Sequence, residues 1–159
     1  MTCRLNALCG KACAIVAEGT MRRRPQSFTC SDRGTKSELT VCFSQSIQGI
    51  SFVTDHVIPL GSAASCDWCV CHCDAKQLMC KGLLVELKGR NFRHAVEQLS
   101  STYFAMRTTW PKLKIVRTYA VLSGRQIPSV KSSDYRIVGK CRLPNFKHFR
   151  ARKELSVQV

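Results

Sequence analysis

The sequence predicts an α/β fold: a single domain in which a mixed central β-sheet is flanked by helices. Residues 83–88, "LLVELK", are apolar up to Glu86, which is typical of a strand buried on both faces. Residues 92–106 then carry apolar side chains at helical spacing, and residues 113–122, "LKIVRTYAVL", alternate as a strand does. A strand, a helix and a returning strand form a βαβ unit, so the two strands are predicted to be parallel neighbours.

The chain before this unit divides into an arm and a set of strands. Residues 1–35 predict a basic, irregular N-terminal arm, broken by proline and glycine, and residues 36–159 predict the folded domain. Lys11 interrupts the mildly apolar start and argues against a signal peptide, while Met21 offers an alternative functional start. Two stretches rich in β-formers, at 38–43 and 50–60, predict a hairpin.

The remaining elements are predicted from caps, breakers and alternation. Residues 66–73, "CDWCVCHC", predict a third strand. Asn91 is the expected N-cap of the long helix, which should end before Trp110 because that residue precedes a proline. In the tail, "SSDYRIVGKCRL" predicts a short helix capped by a serine or Asp134, and "KELSVQV" predicts an edge strand.

The charge of the chain favours a polyanionic partner. Its 159 residues include 25 Lys and Arg against 10 Asp and Glu, a formal net charge of +15. Thirteen of the basic residues follow position 106, where the only acids are Asp134 and Glu154. A local excess of this size predicts a face that binds nucleic acid, with DNA as the first expectation and an anionic membrane surface as the second. No apolar run is long enough to span a bilayer.

Five of the eleven cysteines lie between Cys66 and Cys80 and raise the question of a metal site. Cys66 and Cys69 have zinc-knuckle spacing, with His72 and Cys80 as further ligands. However, a strand would point Cys69 and its i+2 neighbours in a row about 7 Å apart, which one tetrahedral ion cannot gather. Packing as free, buried thiols in a reducing cytoplasm is therefore favoured over zinc or an iron–sulfur cluster.

Two charged side chains at the end of the predicted buried strand suggest chemistry. Glu86 and Lys88 are two residues apart, so they share a face at the strand's carboxyl end. If 66–73 pairs with this strand as a hairpin, Asp67 approaches both of them. Two carboxylates with a strand carbonyl form an oxygen-only site suited to Mg²⁺ or Mn²⁺. The structural alternatives are an ion pair at a strand end for Glu86 and Lys88, and a turn residue for Asp67.

Asp67, the "ELK" at 86–88 and Gln98 on the following helix resemble the PD-(D/E)XK nuclease superfamily, whose fold is called restriction-endonuclease-like. The resemblance spans about residues 38–122. It implies that Asp67, Glu86 and the Leu87 carbonyl bind the metal. It also implies that Lys88 serves the attacking water, and that Gln98 supports the site or contacts the phosphate backbone.

The chain also departs from the family pattern. Cys66 stands where the family often has proline, and the family's early helical acid has only Glu38 as a candidate, on a predicted strand.

These observations predict a metal-dependent nuclease acting on nucleic acid, first of all DNA, with a homodimer as one way to cut both strands. Two alternatives stay open. One is a nucleic-acid- or partner-binding module of the same fold without catalysis, and the other is a zinc-stabilised binding module built on the cysteines.

Overall fold

The computed structural model describes residues 27–32, 37–43, 48–54, 63–73, 80–88, 91–123, 130–150 and 154–158. Their helices and strands, in chain order, are β1 Ser27–Ser31, β2 Glu38–Cys42, β3 Gln48–Val53, β4 Trp68–Cys73, β5 Cys80–Lys88, α1 Phe92–Thr109, β6 Leu113–Leu122, α2 Ser132–Cys141, β7 Phe146–Arg150 and β8 Glu154–Gln158. Within these ranges neither helix combines the length and apolarity that a membrane crossing requires.

The central sheet has five strands in the order β3-β4-β5-β6-β7. The β3–β4 and β4–β5 pairs are antiparallel, whereas the β5–β6 and β6–β7 pairs are parallel. This confirms the predicted mixed sheet, the antiparallel β4–β5 hairpin and the parallel β5–β6 neighbours joined by α1. Strand β7 was not predicted, because "FKHFR" is too polar and short to stand out as a strand.

Strand β5 is buried on both faces because different layers cover each side of the sheet. Leu84 packs with α1 on one face, in a cluster that also takes in Ile137 of α2. Leu83, Val85 and Leu87 pack on the other face against the small sheet of β1, β2 and β8. The helices therefore flank one face of the central sheet, and the second face is covered by strands that the sequence patterns did not assign to a separate sheet.

The predicted hairpin of 38–43 with 50–60 is wrong. Strand β2 pairs with β1 and β8 in the small sheet, whereas β3 pairs with β4 in the central sheet. Strand β1 also lies within the stretch predicted to be irregular. Phe28 and Cys30 alternate there as buried side chains, and this short signal is masked by polar and basic neighbours. Residues 1–26 and 55–60 lie outside the described residues.

The predicted helix boundaries agree with the structure at α1 and shift slightly at α2. The Asn91 side chain accepts a hydrogen bond from the His94 backbone N–H at 3.0 Å, and α1 ends at Thr109, directly before Trp110. At α2 the cap position is Lys131, whose N–H donates to the Asp134 carboxylate at 2.8 Å. Asp134 thus supports the start of α2 from within its first turn. The predicted edge strand is β8, which pairs in parallel with β2.

Candidate active site

Among the described strands, none pairs with the end of β5 on the side of β4. The last paired residues of the hairpin are Trp68 and Val85, while β5 continues to Lys88. Asp67 lies one residue before β4 and therefore beside Glu86. Its backbone carbonyl is also held by the Thr54 N–H at the end of β3, at 3.1 Å. The extra length of β5 creates a short open stretch of backbone where side chains replace strand pairing.

Asp67 and Glu86 are joined by reciprocal hydrogen bonds. The Asp67 N–H donates to Glu86 Oε2 at 3.0 Å, and the Leu87 N–H donates to Asp67 Oδ2 at 2.7 Å. Each carboxylate thus accepts a backbone N–H from the strand segment that carries the other. These bonds hold both carboxylates at the carboxyl end of β5, so the structure brings together the two acids that the sequence singled out.

The Glu86 carboxyl group is fully buried, with 0% of its side chain exposed. Burial is the main cause that raises its pKa to about 8, and the nearby charge of Asp67 raises it further. Lys88 opposes this rise, because its Nζ lies 3.1 Å from Glu86 Oε1. A buried carboxylate is costly unless a positive charge or several donors compensate it, and Lys88 is only a partial compensation here.

Two buried side-chain oxygens, Glu86 Oε1 and Gln98 Oε1, have no hydrogen-bond partner among the described residues. For Glu86 the same oxygen is paired with the Lys88 ammonium group, whose Nζ lies 3.1 Å from Oε1. Buried polar atoms of folded proteins nearly always have a partner. Glu86 Oε1 therefore depends on the Lys88 ammonium group for its compensation.

The Leu87 carbonyl lies on the same side of β5 as Asp67. Successive residues of a strand direct their N–H and C=O groups to alternate sides. Lys88 O accepts from Ser123 N at 2.9 Å on the β6 side, and Leu87 N–H meets Asp67 on the other side. The Leu87 carbonyl consequently shares the open side with the two carboxylates, as the predicted ligand set requires.

These donors fit a small, hard cation. Two carboxylates and a carbonyl are oxygen donors of the kind that Mg²⁺ and Mn²⁺ prefer, and Mg²⁺ commonly uses one or two protein carboxylates with water and substrate phosphate completing its shell. The unsatisfied Glu86 oxygen is consistent with such an ion. In the described part of the chain no three His, Cys, Asp or Glu side chains cluster as metal ligands, so this ligand set is limited to the two acids and backbone.

Gln98 acts on the site through the segment before Asp67. Its side-chain Nε2 donates to the Ser65 carbonyl at 2.6 Å. One turn later, Thr102 Oγ1 donates to the Gln98 carbonyl at 2.9 Å and accepts from the Cys66 N–H at 2.8 Å. Helix α1 thus anchors the two residues that precede Asp67. Gln98 is buried, and this geometry matches the predicted supporting role more directly than contact with a phosphate.

The sequence patterns missed the part of Thr102 and Ser65 in this anchor. A usable signal existed for Thr102, which stands four residues after Gln98 in the apolar stripe of α1, where a hydroxyl needs a partner. No sequence pattern marks Ser65, because it accepts the Gln98 hydrogen bond through its backbone carbonyl, which every residue has. Glu38 lies at the start of β2 in the small sheet and on no helix, so it does not supply an early helical acid.

The cysteines of β4 are mainly core residues. Cys69 and Cys71 are fully buried on the α1 face, and Val70 packs on the opposite face, as predicted. The predicted wide separation is wrong for their sulfurs, which lie 3.4 Å apart because the two side chains incline toward each other. Cys80 departs from the free-thiol expectation, since it is disulfide-bonded.

No protein family, no curated protein and no solved structure matches this chain.

Proposed function

We propose that this chain is a metal-dependent nuclease that hydrolyses phosphodiester bonds, with DNA as the first substrate to test. The observation that carries the proposal is the convergence of Asp67, Glu86 and Lys88 at the carboxyl end of β5, where Lys88 Nζ lies 3.1 Å from the fully buried Glu86 carboxyl group. Open α/β sheets commonly bind their ligands at this end of the strands.

Burial separates this arrangement from an ordinary ion pair at a strand end. A surface pair of glutamate and lysine would keep both groups in water and would cost little. Here Glu86 has no exposed surface and its pKa is raised to about 8, while Lys88 keeps 27% of its side chain exposed. Keeping a carboxylate in such a place is costly for folding. A functional requirement for that carboxylate accounts for the cost.

Each residue of the site has a role in this proposal. Asp67, Glu86 and the Leu87 carbonyl would hold Mg²⁺ or Mn²⁺. When bound, the ion would offset the negative charge of the phosphate and lower the pKa of a bound water. The reciprocal hydrogen bonds keep both carboxylates in place before substrate arrives. Lys88 is partly exposed beside Glu86, so its ammonium group can orient the attacking water. Gln98 holds the backbone segment that carries Asp67.

Charge and topology support the same proposal. A net charge of +15 favours binding to a polyanion, chiefly through phosphate contacts that are independent of base sequence. The run of β3, β4, β5, α1 and β6, with acids on adjacent strands and glutamine on the helix, is the arrangement that the resemblance to PD-(D/E)XK nucleases implies.

The test is a cleavage assay on supercoiled plasmid and on single-stranded DNA, with Mg²⁺, with Mn²⁺ and with EDTA. We expect Glu86→Gln and Lys88→Ala each to lower the cleavage rate by about 100-fold or more, since both act on the reacting groups. Glu97→Gln and Lys114→Ala are matched controls, because they change the same charges at exposed positions. Activity that survives both site substitutions, or that EDTA does not affect, would remove the proposal.

The alternative of a non-catalytic nucleic-acid-binding module predicts a different pair of results. Affinity for nucleic acid would fall steeply with salt, as phosphate contacts require, while no cleavage would occur with either metal. A zinc-stabilised module would instead carry about one equivalent of zinc per purified chain.

A further inference from the structure

An aromatic cluster lies beside the candidate site, built from α1, α2 and β7. We call it the aromatic shelf and define it by Phe92, Tyr135, Phe146 and His148. Phe92, the first residue of α1, contacts the rings of the other three with centroid distances of 6.2, 5.9 and 5.5 Å. The Tyr135 and His148 rings lie 5.7 Å apart. Phe92 is buried, whereas Tyr135 is 48% exposed. The shelf therefore has an apolar base and one ring open to solvent.

The strand register places the shelf next to the candidate site on the same face of the sheet. Glu86 pairs with Ala120 of β6, and Ala120 pairs with His148 of β7. One step further along, Lys88, Leu122 and Arg150 form the next row. Residues in register on neighbouring strands share a face. Two interstrand spacings therefore separate Glu86 from His148, and Lys88 from Arg150, by about 10 Å along the sheet.

The shelf also holds its exposed ring in place, and a positively charged side chain lies beside it. The Tyr135 hydroxyl lies 3.3 Å from His148 Nδ1. Burial, and then the charge of Arg150, lowers the pKa of His148, which favours the neutral form of the ring beside the Tyr135 hydroxyl. Arg150 is exposed at the carboxyl end of β7, in the row that contains Lys88.

We propose that Tyr135, His148 and Arg150 bind an unpaired stretch of nucleic acid, so that the substrate is single-stranded DNA or RNA, a flap or a frayed end. The exposed tyrosine ring stacks on a base, and Arg150 contacts the backbone phosphate. Base–aromatic stacking needs a base whose face is free, which paired bases inside a duplex do not offer. The backbone spacing of about 10 Å between His148 and Glu86 corresponds to about three stacked nucleotide steps, so a short unpaired strand can extend from the shelf to the end of β5.

This inference names the substrate class of the proposed nuclease and rests on that proposed function. Its test measures binding and does not require cleavage. The experiment measures the affinity of the full chain, in EDTA at fixed salt, for labelled 12-nucleotide single-stranded DNA and RNA and for a 12-base-pair DNA duplex. Tyr135→Ala is expected to weaken binding to single strands by about tenfold, the loss of one stacked base. Affinity for the duplex should stay within about twofold, and Tyr135→Phe, which keeps the ring, should bind single strands nearly as well as the wild type.

The chain offers a matched control for each change. Phe104 is equally exposed, at 48%, and lies on α1 outside the shelf, so Phe104→Ala should leave binding to single strands unchanged. Arg150→Ala is compared with Lys140→Ala, which removes a charge from an exposed position near the end of α2. Thermal unfolding of every variant shows whether a lost affinity reflects a lost fold, and Tyr135→Phe repeats the comparison without removing the ring.

The outcomes separate this inference from the proposed nuclease activity. An affinity for single-stranded DNA or RNA that depends on Tyr135 supports the shelf, even if the chain does not cleave nucleic acid. The comparison of the two single strands shows whether the ligand is DNA or RNA. Equal losses for Tyr135→Ala and Phe104→Ala would overturn the shelf, and so would an equal loss of affinity for the duplex. Cleavage that depends on Lys88 while Tyr135→Ala has no effect would keep the nuclease and discard the shelf.

Discussion

Replacing Glu86 with glutamine should change how the stability of the metal-free protein depends on pH. Glu86 is buried without a hydrogen bond on Oε1, and its pKa rises from 4.5 to about 8. The folded state therefore holds a proton that the unfolded chain releases. The stabilisation is complete below the unfolded pKa near 4.5 and is lost as the pH rises to about 8. Glu86→Gln keeps the shape of the side chain and removes this titration.

The size of the effect follows from the proton linkage. Between the two pKa values one proton is bound in the folded state and none in the unfolded state, so stability falls by about 1.4 kcal/mol per pH unit. Between pH 5 and pH 7.5 the contribution of Glu86 to the free energy of unfolding should fall by about 3 kcal/mol. Glu86→Gln should lack this fall and should gain stability relative to the wild type as the pH rises.

The measurement is urea unfolding at a series of pH values in EDTA, for the wild type and for Glu86→Gln. The difference between the two proteins cancels the titration of groups that both share, including His148, whose lowered pKa acts in the opposite direction. Glu97→Gln is the control, since it makes the same substitution at an exposed position. A difference between wild type and Glu86→Gln that stays flat from pH 5 to pH 7.5 would refute this account of the buried carboxylate.

Three further predictions concern the metal and the anchor on α1. Millimolar Mg²⁺ at about 100 times its dissociation constant should raise the Tm of the wild type by about 8 °C in calorimetry. An equal rise in Asp67→Asn would contradict the ligand assignment. Gln98→Ala removes the donor to the Ser65 carbonyl and should destabilise the chain by about 1–3 kcal/mol in urea unfolding. It should also slow cleavage, and unchanged rates would mean that this anchor does not position the site. Thr102→Val leaves the buried Cys66 N–H without its acceptor and should cost about 1–3 kcal/mol, so an unchanged urea midpoint would argue against this contact.

The sequence predicted the βαβ unit because its signals are local. The alternation and apolarity of β5 and β6, the helical spacing of α1 and the Asn91 cap are all properties of neighbouring residues, and each was found where it was expected. The same-face relation of Glu86 and Lys88 also needed only the two-residue period of a strand. For the small sheet, the local sequence patterns do not determine which strands pair. Strand β2 reads equally well as a partner of β3, and only packing against the second face of the central sheet assigns it to β1 and β8.

The sequence by itself determined which charged residues share one face of β5, because side-chain direction along a strand is set by the backbone. Only the tertiary structure decided how those residues are placed and buried. The register of the hairpin set Asp67 against Glu86, the covering layers removed Glu86 from water, and the unsatisfied oxygen followed from both. The aromatic shelf joins residues from three elements far apart in the chain, and the β5–β6–β7 register alone brings it beside the site. Burial and register depend on contacts between distant segments, whereas periodicity depends on neighbours.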